Sequence, residues 1–169
     1  GGIGVRDLKR IAEHLGVDET CVGFVAELCY LGGLVVIDPD DQILPTSAFD
    51  IWLTKPAEER WYSLVVLWLD TSRVSGLIGR ASDKNIAPLG PELDRAGVSL
   101  IRRTTLKVLL ETPQISPDIG GLQKIVKWWN PQRANNDFIE WNVREAEWLG
   151  ITGQGAISTF GNNLLTMQE

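Results

Sequence analysis

The sequence predicts a mainly helical chain with short β-hairpins, an α+β fold. Apolar residues recur at helical spacing along most of its 169 residues, and two short apolar runs flank turn-forming residues. One order of elements is also written twice: helix end, glycine, strand, turn, strand, helix start. It appears in "ELCYLGGLVVIDPDDQILPTSAFDIWL" (Glu27 to Leu53) and again in "EAEWLGITGQGAISTFGNNLL" (Glu145 to Leu165). A chain of this length can bury one sizeable core or two small ones.

Val5, Leu8, Ile11, Ala12 and Leu15 share one helical face, and Gly16 is placed to stop that helix. Asp18 is a good N-cap for the next, whose apolar positions include Val22, Val25, Leu28, Cys29 and Leu31 and which ends at Gly32-Gly33. Two helices joined by a short glycine-containing turn make a helix-turn-helix candidate. "LVVI" and "QIL" then flank Asp38-Pro39-Asp40-Asp41, which reads as a hairpin. Thr46 or Ser47 can cap the short helix that follows. Pro56 opens a strong helix, with Glu58 and Glu59 in its first turn and Trp61, Leu64, Val65, Trp68 and Leu69 on its apolar face.

After Asp70, "TSRVSGLIGRASDKNIAPLGPELDRAG" is rich in Gly, Ser and Pro and reads as a long connection. A helix is predicted from about Val98 to Glu111. Another follows with Ser116 as cap, Pro117 at the start, and Ile119, Leu122, Val126 and Trp129 on one face. Asn130-Pro131 ends it. Asn135 or Asn136 caps the last long helix, which directs Phe138, Trp141, Trp148 and Leu149 inward and stops at Gly150. "IT", "GQG" and "AIS" make a short hairpin.

A helix-turn-helix followed by a hairpin is a winged helix, so the chain is expected to hold two such units. The first spans 1–70 with its following helix, 71–97 is the basic connection, and 98–169 is the second unit. "YLGGLV" (Tyr30 to Val35) is matched with "WLGIT" (Trp148 to Thr152), and "LPT" (Leu44 to Thr46) with "IST" (Ile157 to Thr159).

Net charge is −6, a poor start for a nucleic-acid binder. Charge is unevenly spread. Leu15 to Leu44 holds six acids and no Lys or Arg, whereas Arg73 to Lys107 holds seven basic residues against Asp83, Glu92 and Asp94. No apolar run approaches the roughly 20 residues that span a bilayer, and the first residues lack a basic-then-apolar leader pattern. Cys21 and Cys29 share a helix about 12 Å apart, too far to bridge, and suit a reducing compartment. No Walker-type phosphate loop occurs. The single histidine, His14, cannot assemble a His-based metal site. Asp38, Asp40 and Asp41 lack the closing Glu of a calcium loop. No cofactor, metal or catalytic residue is therefore predicted.

"GGIGVRDLKRIAEHLGVDE" together with "REAEWLGITGQGAIS" resembles the helicase-associated proteins of actinobacteria, large chains grouped through similarity to the C-terminal region of XPB-like helicases. The resemblance covers most of the chain and implies an internal segment of a cytoplasmic bacterial protein linked to DNA transactions. Its motifs describe a scaffold and bring no catalytic residues with them.

The third helix of such a unit commonly enters the major groove. Here the first candidate, "DETCVGFVAELCYLGG", is acidic or apolar throughout, and the second, "NDFIEWNVREAEWLG", sets Arg144 against Asp137, Glu140, Glu145 and Glu147. Such surfaces repel a duplex. The leading expectation is a non-catalytic scaffold that binds another protein or other domains of the same longer chain. The alternative is a DNA-binding module built on Arg73, Arg80, Lys84, Arg95, Arg102, Arg103 and Lys107. Seven tryptophans mostly fall on predicted apolar faces. Trp128 points about 100° from Trp129 and is the candidate interface residue.

Overall fold

Aspartate caps and glycine stops set the first two helices where the sequence places them. α1 (Val5–Leu15) ends at Gly16 in the left-handed region, φ 67°. α2 (Glu19–Leu31) begins where the Asp18 carboxylate accepts the Cys21 N–H at 2.8 Å. The computed structural model describes residues 2–79, 85–112 and 116–167. β1 (Val35–Ile37) pairs antiparallel with β2 (Ile43–Pro45), in register Val36 to Leu44. α3 (Ser47–Leu53) and α4 (Ala57–Asp70) follow. Then come α5 (Val98–Glu111), α6 (Ile119–Trp129), α7 (Asn136–Trp148), the antiparallel pair β3 (Thr152–Gly153) and β4 (Ala156–Ile157), and α8 (Thr159–Thr166). The fold is thus mainly helical with two short strand pairs. Among the described residues no helix is long and apolar enough to cross a membrane.

The chain divides into two compact units, Gly1–Arg95 and Ala96–Glu169. The second unit thus begins two residues before the expected 98, and most of 71–97, expected as a connection, belongs to the first unit. In the described part of 71–95, Val74, Ile78, Ile86, Leu89 and Leu93 are all buried. Of these, Ile78, Ile86, Leu89 and Leu93 join Ile3 of the N-terminal stretch before α1, Leu8 and Ala12 of α1 and Val22 of α2 in one core. The stretch is therefore a wall of the first unit, built from two 3₁₀ turns, Ser75–Leu77 and Pro91–Leu93. Gly23 lets Ile78 lie close on α2, since a Cβ there would stand 2.6 Å from Ile78 Cδ1 and the end of that side chain would have to turn aside. In the second unit Ile101, Val108 and Leu109 of α5, Leu122 and Val126 of α6 and Ile139 of α7 form the core.

The repeated order of elements is also a repeated hydrogen-bond pattern. Gly33 (φ 65°) and Gly150 (φ 70°) reverse the chain after α2 and α7. Leu34 N–H donates to Cys29 O and Ile151 N–H to Ala146 O, each at 2.9 Å. Across each hairpin, Thr46 N–H donates to Leu34 O and Ser158 N–H to Ile151 O. The hydroxyls repeat as well, Thr46 to Gly33 O at 2.6 Å and Ser158 to Gly150 O at 2.7 Å. These bonds correct the matching made from sequence by one residue at both ends. Leu31, not Tyr30, corresponds to Trp148, and Thr46 corresponds to Ser158, not Thr159. The hairpins differ in their turns. Gln154 (φ 52°) and Gly155 (φ 78°) give the tight two-residue form. The longer first turn is held by the Asp38 carboxylate, which accepts the N–H groups of Asp40 and Gln42. α6 is capped by Asp118, which accepts from Gly121 N–H at 2.9 Å, and not by Ser116, whose hydroxyl donates to Gln154 O.

Candidate functional site

The described basic residues singled out in the sequence are not all directed to solvent. Arg73 lies in the first unit with its side chain only 12% exposed, held against the buried Glu27 of α2. Its Nε donates to Glu27 Oε2 at 2.5 Å, and its Nη2 to Oε1 at 3.1 Å and to Gly90 O at 2.7 Å. The same carboxylate accepts the Leu89 N–H at 2.5 Å. The guanidinium also sits 5.7 Å over the Tyr30 ring and 3.5 Å from Asp94. Hydrogen bonding to Glu27 pushes the Arg73 pKa above its ordinary value, against the opposing effect of burial and with help from the charges of Glu27 and Asp94. Arg73 thus fastens the 71–95 segment to α2 and has no reach to a phosphate outside.

Arg102 is equally internal. Its side chain is 1% exposed on α5 and stands 3.9 Å from Glu145 of α7, itself buried. Arg95 is directed back onto its own chain, donating to the carbonyls of Glu92 and Asp94. Arg103 and Lys107 are brought one turn apart on α5, Arg103 half-buried and Lys107 exposed. Arg80 and Lys84 lie outside the described residues. The pairing of Arg73 and Arg102 removes two members of the proposed phosphate-binding set, because a carboxylate already fills the place of the anion.

Neither helix that leads into a hairpin offers a cationic surface, and in the first unit that helix is α2, the second of the unit and not the third expected from sequence. α2 exposes only Glu19, Val25 and Tyr30. α7 exposes Asp137, Glu140, Arg144 and Glu147, a stripe at helical spacing, and its one cation is 3.3 Å from Glu140. Comparison with protein-family models, with curated proteins and with solved structures gives no match. What these surfaces can do follows from their chemistry.

The first hairpin turns carbon outward. Val36 and Leu44 are directly paired across the strands, so they share a face, and they are 46% and 42% exposed. Ile43 on β2 and Ile51 and Leu53 on α3 are exposed too. The exposed charges of the hairpin turn are Asp40 and Asp41. A signal for this surface was present in the sequence: consecutive apolar residues in "LVVI" place carbon on both faces of a strand. Trp128 of α6, the residue singled out beside Trp129, is 85% exposed. Trp129 itself is 43% exposed, less inward than its helical position suggested. Among the described residues no cluster of His, Cys, Asp or Glu is arranged to hold a metal ion.

Proposed function

We propose that the chain is a non-catalytic scaffold of two winged-helix units within a helicase-associated bacterial protein, working in the cytoplasm through protein–protein contacts. One observation carries the reading. The surface that would meet a duplex, the outer face of α7, presents Asp137, Glu140 and Glu147 beside a single Arg144 already paired with Glu140. Docking a phosphate backbone there opposes like charges. The wing of the first unit instead presents the Val36–Leu44 pair, with Asp40 and Asp41 at its tip. Apolar area rimmed by carboxylates suits a partner segment that is itself amphipathic and basic.

Two titrations test this. A short labelled duplex, followed by fluorescence anisotropy at about 50 and 200 mM salt, where phosphate contacts weaken most visibly, is expected to show no binding that depends on α7. A synthetic amphipathic peptide of leucine and lysine is expected to bind the wild-type chain and to lose that binding in Leu44→Asp. Tight duplex binding abolished by Arg144→Glu would overturn the reading, as would peptide binding indifferent to Leu44→Asp.

A further inference from the structure

We propose that the exposed face of α6 is a binding site for single-stranded nucleic acid, with Trp128 stacking on a base while Lys124 and Lys127 neutralise neighbouring phosphates. The site lies in the second unit, outside the Arg73 to Lys107 span, and does not depend on the wing surface.

The placement follows from helix geometry. Leu122 and Val126 turn into the core, 2% and 0% exposed. The opposite side of α6 then carries Lys124 and Trp128 one turn apart, with Ile125 beside them and Lys127 next to the tryptophan in sequence. Trp128 stacks on no other ring and no cation among the described residues, and neither lysine is ion-paired among them. In a chain of net charge −6, the stretch between Asp118 and Asp137 has Lys124, Lys127 and Arg133 and no carboxylate. Here alone among the described helices a bare indole is flanked by lysines without an acid on the same element.

Three occupants of an exposed tryptophan can be weighed. An apolar protein surface would anchor on it through a ring of water-excluding contacts, but here an ammonium group stands one turn away and would have to be desolvated. A bilayer interface needs a broad apolar face, and the exposed carbon of α6, Ile119, Ile125, Trp128 and Trp129, is interrupted by the exposed Lys124 and Lys127. A single strand fits both features at once. Its bases are unstacked and offer π-faces to indole, and its phosphates leave the lysines hydrated while releasing counterions. A duplex hides its base faces, so the ring distinguishes the two forms.

The test uses the whole chain, a labelled oligo(dT), and a duplex of the same length. Oligo(dT) is expected to bind at low salt, more tightly than the duplex. Trp128→Ala should weaken it roughly 5- to 100-fold, the effect of losing one aromatic–base stack, whereas Trp128→Phe should retain most of the affinity. Lys124→Gln with Lys127→Gln should flatten the slope of log affinity against log salt by roughly 1.4, about 0.7 per lost phosphate contact on a single strand. Because all three side chains point outward, thermal melting is expected to be unchanged and serves as the control for folding. The inference is overturned if oligo(dT) does not bind, or if Trp128→Ala leaves its affinity intact. It is also overturned if polyglutamate, which has charge but no rings, competes equally well. Self-association abolished by Trp128→Ala, without oligonucleotide binding, would assign the face to a second copy instead.

Discussion

Replacing Arg73 by methionine should destabilise the first unit by about 3–5 kcal/mol, the usual cost of removing one partner from a buried ion pair. The reasoning is local. Glu27 is 3% exposed and accepts two hydrogen bonds from Arg73 and one from Leu89 N–H. Without the guanidinium a buried carboxylate keeps only the amide, and Gly90 O loses its donor as well. The contact to Asp94 adds little, because that side chain is 57% exposed. A unit of this size has a total stability of roughly 5–14 kcal/mol, so the loss is a large fraction of the whole. The double variant Arg73→Met/Glu27→Leu removes both charges but strands the Leu89 N–H, a cost of about 1–3 kcal/mol. It should therefore be more stable than Arg73→Met alone. The measurement is urea unfolding read from amide signals of residues in 1–95, since two compact units need not melt together. The pKa of Arg73 is raised, so its contribution is complete below the ordinary arginine value and is lost only as pH rises through the higher folded value. No loss from arginine titration is expected near neutrality. A cost below about 1 kcal/mol for Arg73→Met, or a double variant no better than the single, would refute this account of what holds 71–95 in place.

Two further outcomes are expected. Thr46→Val and Ser158→Ala each delete a hydroxyl bonded to the carbonyl of the preceding turn glycine, at about 1 kcal/mol. Ser158→Ala should cost more, because Ser158 also accepts from Gly161 N–H as the cap of α8, and calorimetry showing the reverse order would contradict that double role. The thiols of Cys21 and Cys29 are both pushed up by burial, with the Asp18 carboxylate adding to the effect at Cys21. Any stability linked to them is thus full below the ordinary thiol value and lost as pH rises through the raised one. Labelling by a disulfide reagent at mildly alkaline pH should be several-fold slower in the folded chain than in urea, and equal rates would count against their burial.

Helix ends were legible because they are written in local chemistry. Asp18, Asn135, Gly16 and Gly150 act within a few residues of where they stand, and the bounds of α5 follow from spacing alone. The packing of 71–95 was not legible. Val74, Ile78, Ile86, Leu89 and Leu93 follow neither a helical nor a strand period, since 3₁₀ turns and irregular chain carry them inward. The charge pattern misled for a related reason. Counting seven cations cannot separate an arginine in solvent from one whose carboxylate is 46 residues away, as Glu27 is from Arg73, or 43, as Glu145 is from Arg102. The hairpin was readable as a hairpin, and "LVVI" signalled carbon on both strand faces, but which of the two stays uncovered is a tertiary fact.

The buried glutamates also bear on how such a unit could be copied or cut. Each helix-and-hairpin repeat keeps one buried carboxylate in the second half of the helix that leads into the hairpin, Glu27 in one and Glu145 in the other, a single position apart in register. The arginine that pairs with each lies outside the repeated elements. Arg73 comes from the segment after α4, and Arg102 from the helix before α6. A gene fragment that duplicated only the repeated elements would deliver a module whose buried carboxylate is parted from its arginine. Excision at the composition change after Asp70 would do the same to the first. The transferable piece is therefore the repeat together with its arginine-bearing flank, which lies downstream in one case and upstream in the other.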